Sequence, residues 1–121
     1  MVACMALIGC RRGLPAGSDR RAFDSAQWKA DHASDARGGG SSMRQEMLRD
    51  LVTGILPGKA RTEIEELLGP SRETAYFRET KRDLIYFLGP ERGSYIRIDS
   101  EWLLIWLDAQ GRFHHYQIAT D

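Results

Sequence analysis

Two cysteines near the start of the chain carry its clearest chemical signal. Cys4 and Cys10 are the only cysteines in the 121-residue sequence, and Cys10 directly follows Leu7-Ile8-Gly9. An apolar segment, a small residue and then cysteine is the pattern of a bacterial lipobox, in which the thiol is acylated and the cysteine becomes the mature N-terminus. We therefore expect lipidation at Cys10, which would hold a folded domain on a membrane surface.

The segment before Cys10 departs from a complete secretory signal. Such a signal has a positively charged start and an apolar stretch of about 7–15 residues. Residues 1–8 supply only a short apolar run without any charge. We expect that translation begins upstream of Met1. The alternative is that residues 1–10 form a disordered or loosely packed terminus whose match to the lipobox is chance.

Two further pairs of residues have types suited to catalysis or metal binding. His114 and His115 are adjacent on a predicted strand, so their side chains should point to opposite faces and should not hold one metal ion together. Asp99 and Glu101 could form a carboxylate pair for acid–base chemistry. Alternatively, these carboxylates are solvated in a loop or contact Arg97. We predict no catalytic residue, no metal site and no cofactor.

A glycine- and proline-containing segment precedes that acidic pair. Gly89-Pro90-Glu91-Arg92-Gly93 lacks the glycine spacing and the following Lys-Ser/Thr of a phosphate-binding loop. We expect a rigid turn here. Glu91 and Arg92 are predicted to face a binding partner.

The composition indicates one ordinary globular domain. Hydrophobic residues make up 42% of the chain and charged residues 28%. The 17 basic and 17 acidic residues cancel, which argues against nucleic-acid binding because that function requires excess Lys and Arg. No run approaches the ~20 apolar residues of a transmembrane helix, so lipid is the expected membrane anchor.

Residues 11–42 are predicted to form a flexible linker. The segment is rich in Arg, Asp, Ser, Gly and Ala, and such polar chains stay mostly disordered. Phe23 and Trp28 are exceptions, which either dock onto the folded domain or a partner, or make only weak contact. The predicted organisation is a truncated signal-like segment (1–10), the linker (11–42) and a folded domain (43–121).

Two helices are predicted at the start of that domain. Ser42 and Gln45 have the spacing of a capping box, and apolar residues then recur at helical spacing from Met43 to Ile55. A second helix should cover residues 61–68. Gly69-Pro70 ends it, because glycine accepts the left-handed closing conformation and proline cannot extend a helix.

The rest of the domain has strand patterns. Residues 74–77 are predicted to be a short extended piece, and residues 83–88, 101–107 and 112–118 to be strands. Gly111 closes a turn between the last two strands. The expected fold class is α+β, with two N-terminal helices packed on one face of a three-stranded antiparallel β-meander, preceded by a disordered tail.

The strand over residues 101–107 is apolar on both of its faces. Two short helices cover only one face of a small sheet, and we expect that face to hold Leu103, Ile105 and Leu107 together with Phe113. The other face would then expose Trp102, Leu104 and Trp106. An exposed strip with two tryptophans predicts a partner-binding surface. The alternative is that the tail aromatics or residues 89–100 cover it.

Three motifs occur in a recognisable order. They are a glycine-led second helix ending in Leu67-Leu68-Gly69-Pro70, the strand Asp83-Leu84-Ile85-Tyr86-Phe87, and the hairpin over residues 103–113. From about residue 43 to 118, this order resembles the SmpA/OmlA (BamE-like) domain family of small bacterial lipoproteins. Ala60 departs from the family, which usually has Ser or Thr there, and the missing N-cap hydroxyl costs about 1 kcal/mol. The segment 89–100 is also longer than expected.

The resemblance implies a non-enzymatic, lipid-anchored protein on the periplasmic face of the outer membrane. It would be similar in build to an accessory subunit of the outer-membrane β-barrel assembly machinery. The same unit resembles one repeat of the β-lactamase inhibitor proteins, which act as binding surfaces. The implied partners are an envelope or membrane protein and, through the lipid, the membrane, without nucleic acid or a small-molecule substrate.

Two alternatives from other classes stay open at this point. One is a small ligand-binding or hydrolytic domain that uses the Asp99–Glu101 loop. The other is a cytoplasmic globular protein with no envelope role. Fold analogy alone does not decide between these functions.

Overall fold

The computed structural model describes residues 14–30, 41–92 and 99–121. These residues form a mixed α+β fold with one three-stranded antiparallel sheet. In the described part, no helix has the length and apolar character needed to cross a membrane. The elements are α1 (Ser25–Ala30), α2 (Met43–Glu46), α3 (Leu48–Asp50), a π-helical turn (Leu51–Ile55), α4 (Arg61–Leu68), a 3₁₀ turn (Arg78–Thr80), β1 (Leu84–Pro90), β2 (Ser100–Leu107) and β3 (Phe113–Thr120).

The sheet has the predicted meander topology, with β2 between β1 and β3. Ile105 is paired with Leu84 on one side and with Tyr116 on the other. Gly111 has φ 78° in the turn between β2 and β3, a conformation that glycine adopts without a steric penalty. The prediction of a three-stranded antiparallel sheet is confirmed. β1 continues through Pro90, so residues 89–90 of the turn expected at 89–93 belong to a strand, and Gly93 lies outside the described part.

The first predicted helix is interrupted rather than continuous. Its capping box is present, because the Ser42 amide donates to Oε1 of Gln45 (2.9 Å) and the Gln45 amide donates to the Ser42 hydroxyl (3.0 Å). After α3 the turns widen to the π form. There the Thr53 hydroxyl donates to the carbonyl of Arg49 (2.6 Å), a competing hydrogen bond that often bends helices.

The second predicted helix has the bounds that the sequence indicated, Arg61–Leu68. Ala60 provides no side-chain cap. Glu63 partly compensates, since its Oε1 accepts a hydrogen bond from the Ala60 amide at 2.7 Å. Gly69, with φ 86°, ends the helix.

One core cluster joins residues from the helices to one set of side chains on the sheet. The sheet contributes alternate residues of β1 and β2, which places them on one face. Leu107 and Phe113 pack against this cluster from the end of the hairpin. Its fully buried members include Met47, Leu48, Leu51, Leu56, Ile64, Leu84, Leu88, Leu103 and Ile105.

The segment from residue 14 to 30 also belongs to this core. Trp28 is 0% exposed and contacts the rings of Phe23 and Tyr86 with centroid separations of 6.2 and 6.3 Å. The Arg49 amide also donates to the carbonyl of Ser18 (2.9 Å). The expectation of a flexible linker over 11–42 is therefore wrong for residues 14–30, because a buried tryptophan outweighs the polar composition around it. Residues 11–13 and 31–40 lie outside the described part.

The second face of the sheet is covered by the segment that connects α4 to β1. We call residues 71–83 the covering segment. Phe77 packs against a cluster of Ile85, Trp102 and Leu104. The segment is not the predicted extended piece at 74–77, since Phe77 takes the left-handed conformation with φ 62° and a 3₁₀ turn follows.

Side-chain hydrogen bonds hold the covering segment in this shape. The guanidinium of Arg82 donates to the carbonyls of Thr74 and Tyr76, each at 2.8 Å. The indole N–H of Trp106 donates to the carbonyl of Thr80 at 3.0 Å. The segment is thus attached both to itself and to the sheet.

Candidate functional site

The lipidation site predicted from the sequence, Cys10, lies outside the described residues. The same holds for Arg97, the expected contact of the acidic pair. Acylation of Cys10 therefore remains a prediction based on sequence.

The tryptophan strip is not open to a partner, and the expectation that it is exposed is wrong. Trp102 is 5% exposed and Leu104 is 0% exposed, while Trp106 is half-buried. Both indole N–H groups are satisfied within the chain, that of Trp102 by Oδ2 of Asp121 (3.2 Å). The covering segment 71–83 packs on this face through Phe77, whereas Phe23 and Trp28, one of the two alternatives, belong to the core on the other face. Most of residues 89–100, the second alternative, lies outside the described part.

Arg92, predicted to face a partner, and Glu101, from the predicted acidic pair, instead build an internal polar network. Arg92 and Glu101 form an ion pair, with Nη2 3.0 Å from Oε1. The Arg92 amide donates to Oε2 of Glu101 (2.9 Å), and the fully buried Gln45 donates from Nε2 to Oε1 (3.3 Å). Nη1 of Arg92 also reaches the hydroxyl of Ser18 (3.4 Å).

This network and the contacts beside it change the interpretation of four residues. Arg92 binds within the molecule, so the prediction that its side chain faces a partner is wrong. Glu91 is half-buried, and its amide donates to the carbonyl of Asp99 (2.9 Å). Both carboxylate oxygens of Glu101 accept internal hydrogen bonds while Asp99 is exposed. The geometry gives no support to acid–base chemistry by the Asp99–Glu101 pair.

A basic cleft lies at the junction of α1, α2, the end of α4 and β1. Its volume is about 310 Å³, and Lys29, Arg44 and Arg72 line it together with the aromatic residues Tyr86 and Phe87. None of the described lining residues is acidic. The cleft therefore concentrates positive charge in a chain whose formal net charge is zero.

Each side of the cleft is positioned by contacts with the core. Arg44 donates from Nε to the carbonyl of Trp28 (2.9 Å) and from Nη1 to that of Phe87 (2.8 Å), and it also stacks over the Trp28 ring. The Arg72 guanidinium lies 5.9 Å from the centre of the Phe87 ring. These contacts hold two cations beside an aromatic surface.

One of the residues that line the cleft is a tyrosine, Tyr86. The Tyr86 hydroxyl donates to the carbonyl of Gly69 (2.9 Å). Burial, with a smaller contribution from Glu65, raises the pKa of Tyr86 well above its usual range. A tyrosine is already uncharged at neutral pH, and this shift keeps Tyr86 uncharged in alkaline solution as well, so it adds no negative charge to the cleft.

The paired histidines lie next to each other, contrary to prediction. Trp106 is paired with His115 and Leu107 with Phe113, so His114 is an extra residue in β3. Such a β-bulge breaks the strict alternation of side chains. As a result, Nδ1 of His114 is 2.6 Å from Nδ1 of His115.

The two rings have different surroundings. His115 stacks on the indole of Trp106, with centroids 4.6 Å apart and planes inclined by 4°, whereas His114 is exposed. Desolvation, and then the neighbouring His114, lower the pKa of His115. Among the described residues, no group of three or more His, Cys, Asp or Glu side chains is arranged to hold a metal ion.

The cleft residues were not found by sequence reasoning. Lys29, Arg44 and Arg72 come from three separate segments, and only the folding of residues 14–30 onto the domain brings Lys29 to the other two.

No family model, curated protein or solved structure matches the chain.

Proposed function

We propose that this chain is a non-enzymatic, lipid-anchored protein of the bacterial envelope that binds an acidic segment of a partner protein through its basic cleft. The observation that carries the proposal is the convergence of Lys29, Arg44 and Arg72 around one cavity. The cleft takes the place of the tryptophan strip as the candidate binding surface. The lipid anchor is proposed at Cys10.

The cleft has the chemistry for carboxylate recognition. An arginine guanidinium presents a planar set of donors that matches a carboxylate, and lysine adds a compact charge. Pro70 and Phe87 supply apolar surface beside the cations. A segment with Asp or Glu next to an apolar side chain fits both features.

The electrostatics favour a reversible, salt-sensitive complex. Lys29 and Arg72 are exposed, and attraction between exposed charges is screened within about 8 Å at physiological ionic strength. Such charges mainly increase the association rate and the selectivity for oppositely charged partners.

The envelope setting and the finer architecture belong to the same proposal. We infer a BamE-like arrangement of helices and sheet from the order of motifs, and a role in scaffolding a membrane-protein assembly from that resemblance. The internal use of Glu101 and Arg92 favours this role over hydrolysis, because those groups stabilise the fold.

Charge reversal in the cleft tests the binding surface. A photo-crosslinking residue replaces Thr62 on α4 or the exposed Pro70 at the cleft, and the full-length protein is expressed in its native bacterium. Adducts that form from position 70, but not from position 62, are identified and the partner is purified. Lys29→Glu with Arg72→Glu should weaken binding of that partner by at least about ten-fold, an expected loss of about 1.4 kcal/mol.

The matched control is Arg78→Glu with Lys81→Glu, two exposed cations of the covering segment that do not line the cleft. It changes the net charge by the same amount and should bind like the wild type. Equal binding by the cleft double variant and the wild type, or equal loss in the control double variant, would contradict the proposal.

Metabolic labelling tests the anchor separately. Cells that express the full-length protein from its native locus should incorporate labelled palmitate into the wild type and not into Cys10→Ala. Cys4→Ala is the control and should be labelled normally. Labelling that persists in Cys10→Ala would contradict lipidation at this residue.

A further inference from the structure

We propose that the β-bulge at His114 builds a binding site for a divalent transition-metal ion, with Nδ1 of His114 and Nδ1 of His115 as its two protein ligands. The preferred ion is Cu²⁺. This inference does not depend on the basic cleft or on the lipid anchor.

The first argument is the convergence of the two nitrogens. Nδ1 of His114 and Nδ1 of His115 are 2.6 Å apart, and their rings are inclined by 80°. Two imidazole nitrogens bound to one ion at about 2.0–2.1 Å are roughly 3 Å apart in a right-angled arrangement. Reorientation of the exposed His114 ring would direct both nitrogens at one ion and convert the hydrogen-bonded pair into a chelating pair.

The second argument is the way in which the backbone creates this convergence. In a regular strand, neighbouring side chains lie on opposite faces. Here Phe113 is paired with Leu107 and His115 with Trp106, so His114 lies between them without a partner residue in β2. Bulges of this kind redirect a side chain, and this one directs a histidine toward another histidine.

The third argument is the fixed orientation of one ligand. The His115 ring lies parallel to the Trp106 indole. The indole itself is held by its hydrogen bond to the carbonyl of Thr80 (3.0 Å). One ligand is thus held in place before the ion arrives, and ordering of ligands by neighbouring groups strengthens metal binding.

Binding requires a change of tautomer but no change in the number of protons. In the neutral hydrogen-bonded pair, one Nδ1 carries a proton and donates to the other. When the ion binds both Nδ1 atoms, that proton moves to Nε2 of the same ring. Two neutral imidazoles then coordinate the ion, and water completes its coordination.

The chemistry of the ligands favours Cu²⁺ among the divalent ions. Imidazole suits Zn²⁺, Ni²⁺ and Cu²⁺, and affinity for a given nitrogen site is highest for Cu²⁺. Because the protein supplies only two ligands and water occupies the other coordination positions, the bound ion should exchange readily with ions in solution. The expected role is capture or sensing of copper at the protein surface.

The test is a titration of the full-length chain with Cu²⁺, in a background with Cys4→Ser and Cys10→Ser so that thiols do not compete. The wild-type histidines should give quenching of tryptophan fluorescence, because a bound Cu²⁺ ion would lie beside Trp106. His114→Gln should weaken the apparent affinity by at least about ten-fold. His114 is exposed, and circular dichroism verifies that the variant stays folded.

Two controls locate the ion. His32→Gln removes the third histidine of the chain and should leave affinity unchanged. Trp106→Phe should retain binding by calorimetry but lose most of the quenching. Unchanged affinity in His114→Gln, a comparable loss in His32→Gln, or no Cu²⁺ binding by the parent protein would each overturn the proposal.

Discussion

Arg92 and Glu101 form an ion pair inside the molecule, with side chains that are 9% and 3% exposed. Through Arg92 the pair reaches the N-terminal segment at Ser18, and through Glu101 it reaches Gln45 at the start of the helices. Three parts of the chain that are distant in sequence therefore meet at one pair of charges.

Removal of one member of this pair should be strongly destabilising. Arg92→Met leaves the Glu101 carboxylate buried without its cation, which typically costs about 3–5 kcal/mol. Urea denaturation measures the loss. Arg21→Met is the matched control, because the ion pair of Arg21 with Glu46 is more exposed (40% and 19%) and should contribute at most about 1 kcal/mol. Equal losses in the two variants would contradict the structural role assigned to Arg92.

The N-terminal segment should stabilise the domain through Trp28. Trp28→Ala removes a fully buried ring from the core and should lower the free energy of unfolding by about 3–5 kcal/mol. Trp28→Phe should cost less, since a ring is kept and the buried indole N–H, which has no partner among the described residues, is removed. Thermal unfolding followed by circular dichroism tests both. A wild-type melting temperature for Trp28→Ala would show that residues 14–30 are not part of the folded unit.

The left-handed backbone of the covering segment provides a test of its conformation. Lys81 has φ 62°, so Lys81→Gly should relieve strain and raise the free energy of unfolding by about 0.5–1 kcal/mol. Arg78→Gly, three residues earlier in the 3₁₀ turn, should lower it by a similar amount, because glycine there gains no relief. Chemical denaturation compares the two. Changes of the same sign would argue against the described turn.

The hairpin carboxylate Asp108 should make stability dependent on pH. Hydrogen bonds from the amides of Arg112 and Gln110 lower the pKa of Asp108. In the unfolded chain the pKa of an aspartate is about 3.9. Because folding lowers the pKa of Asp108, its ionised form stabilises the fold at pH values above about 3.9, and this stabilisation is lost as the pH falls through the pKa of the folded state. Asp108→Asn should thus be less stable than the wild type at pH 7, and the difference should shrink in acid. Parallel pH profiles of melting temperature would contradict this.

The parts of the fold that were predictable are those determined by neighbouring residues. The bounds of α4 follow from Gly69-Pro70 at its end, and the β2–β3 hairpin follows from Gly111. The continuous apolar run within residues 101–107 also indicated a strand. In each case the residue types themselves favour one local backbone conformation.

The parts that could not be predicted depend on contacts across the chain. Trp28 lies in a polar segment, and its burial depends on a pocket formed by residues after position 42. The cover over Trp102 depends on Phe77 taking a conformation that is rare for an aromatic residue. Neither the composition of a segment nor the spacing of its apolar residues indicates which distant residues it will contact.

The candidate site was missed for the same reason. Lys29, Arg44 and Arg72 share a cleft only after three segments have packed together. The prediction for the histidines assumed a regular strand, in which neighbouring side chains lie on opposite faces. Because the bulge at His114 interrupts that regularity, the rings of His114 and His115 are in contact.

Lipidation at Cys10 would place the domain close to a bilayer, because the N-terminal segment is docked on the core. Leu14 packs against the core and follows Cys10 by four positions. Since an extended chain spans at most about 3.5 Å per residue, an acyl group on Cys10 would keep Leu14 within about 14 Å of the headgroups. A free chain reaching to Ser42 would have allowed a height of about 110 Å. Only proteins that approach the bilayer closely would then meet this domain.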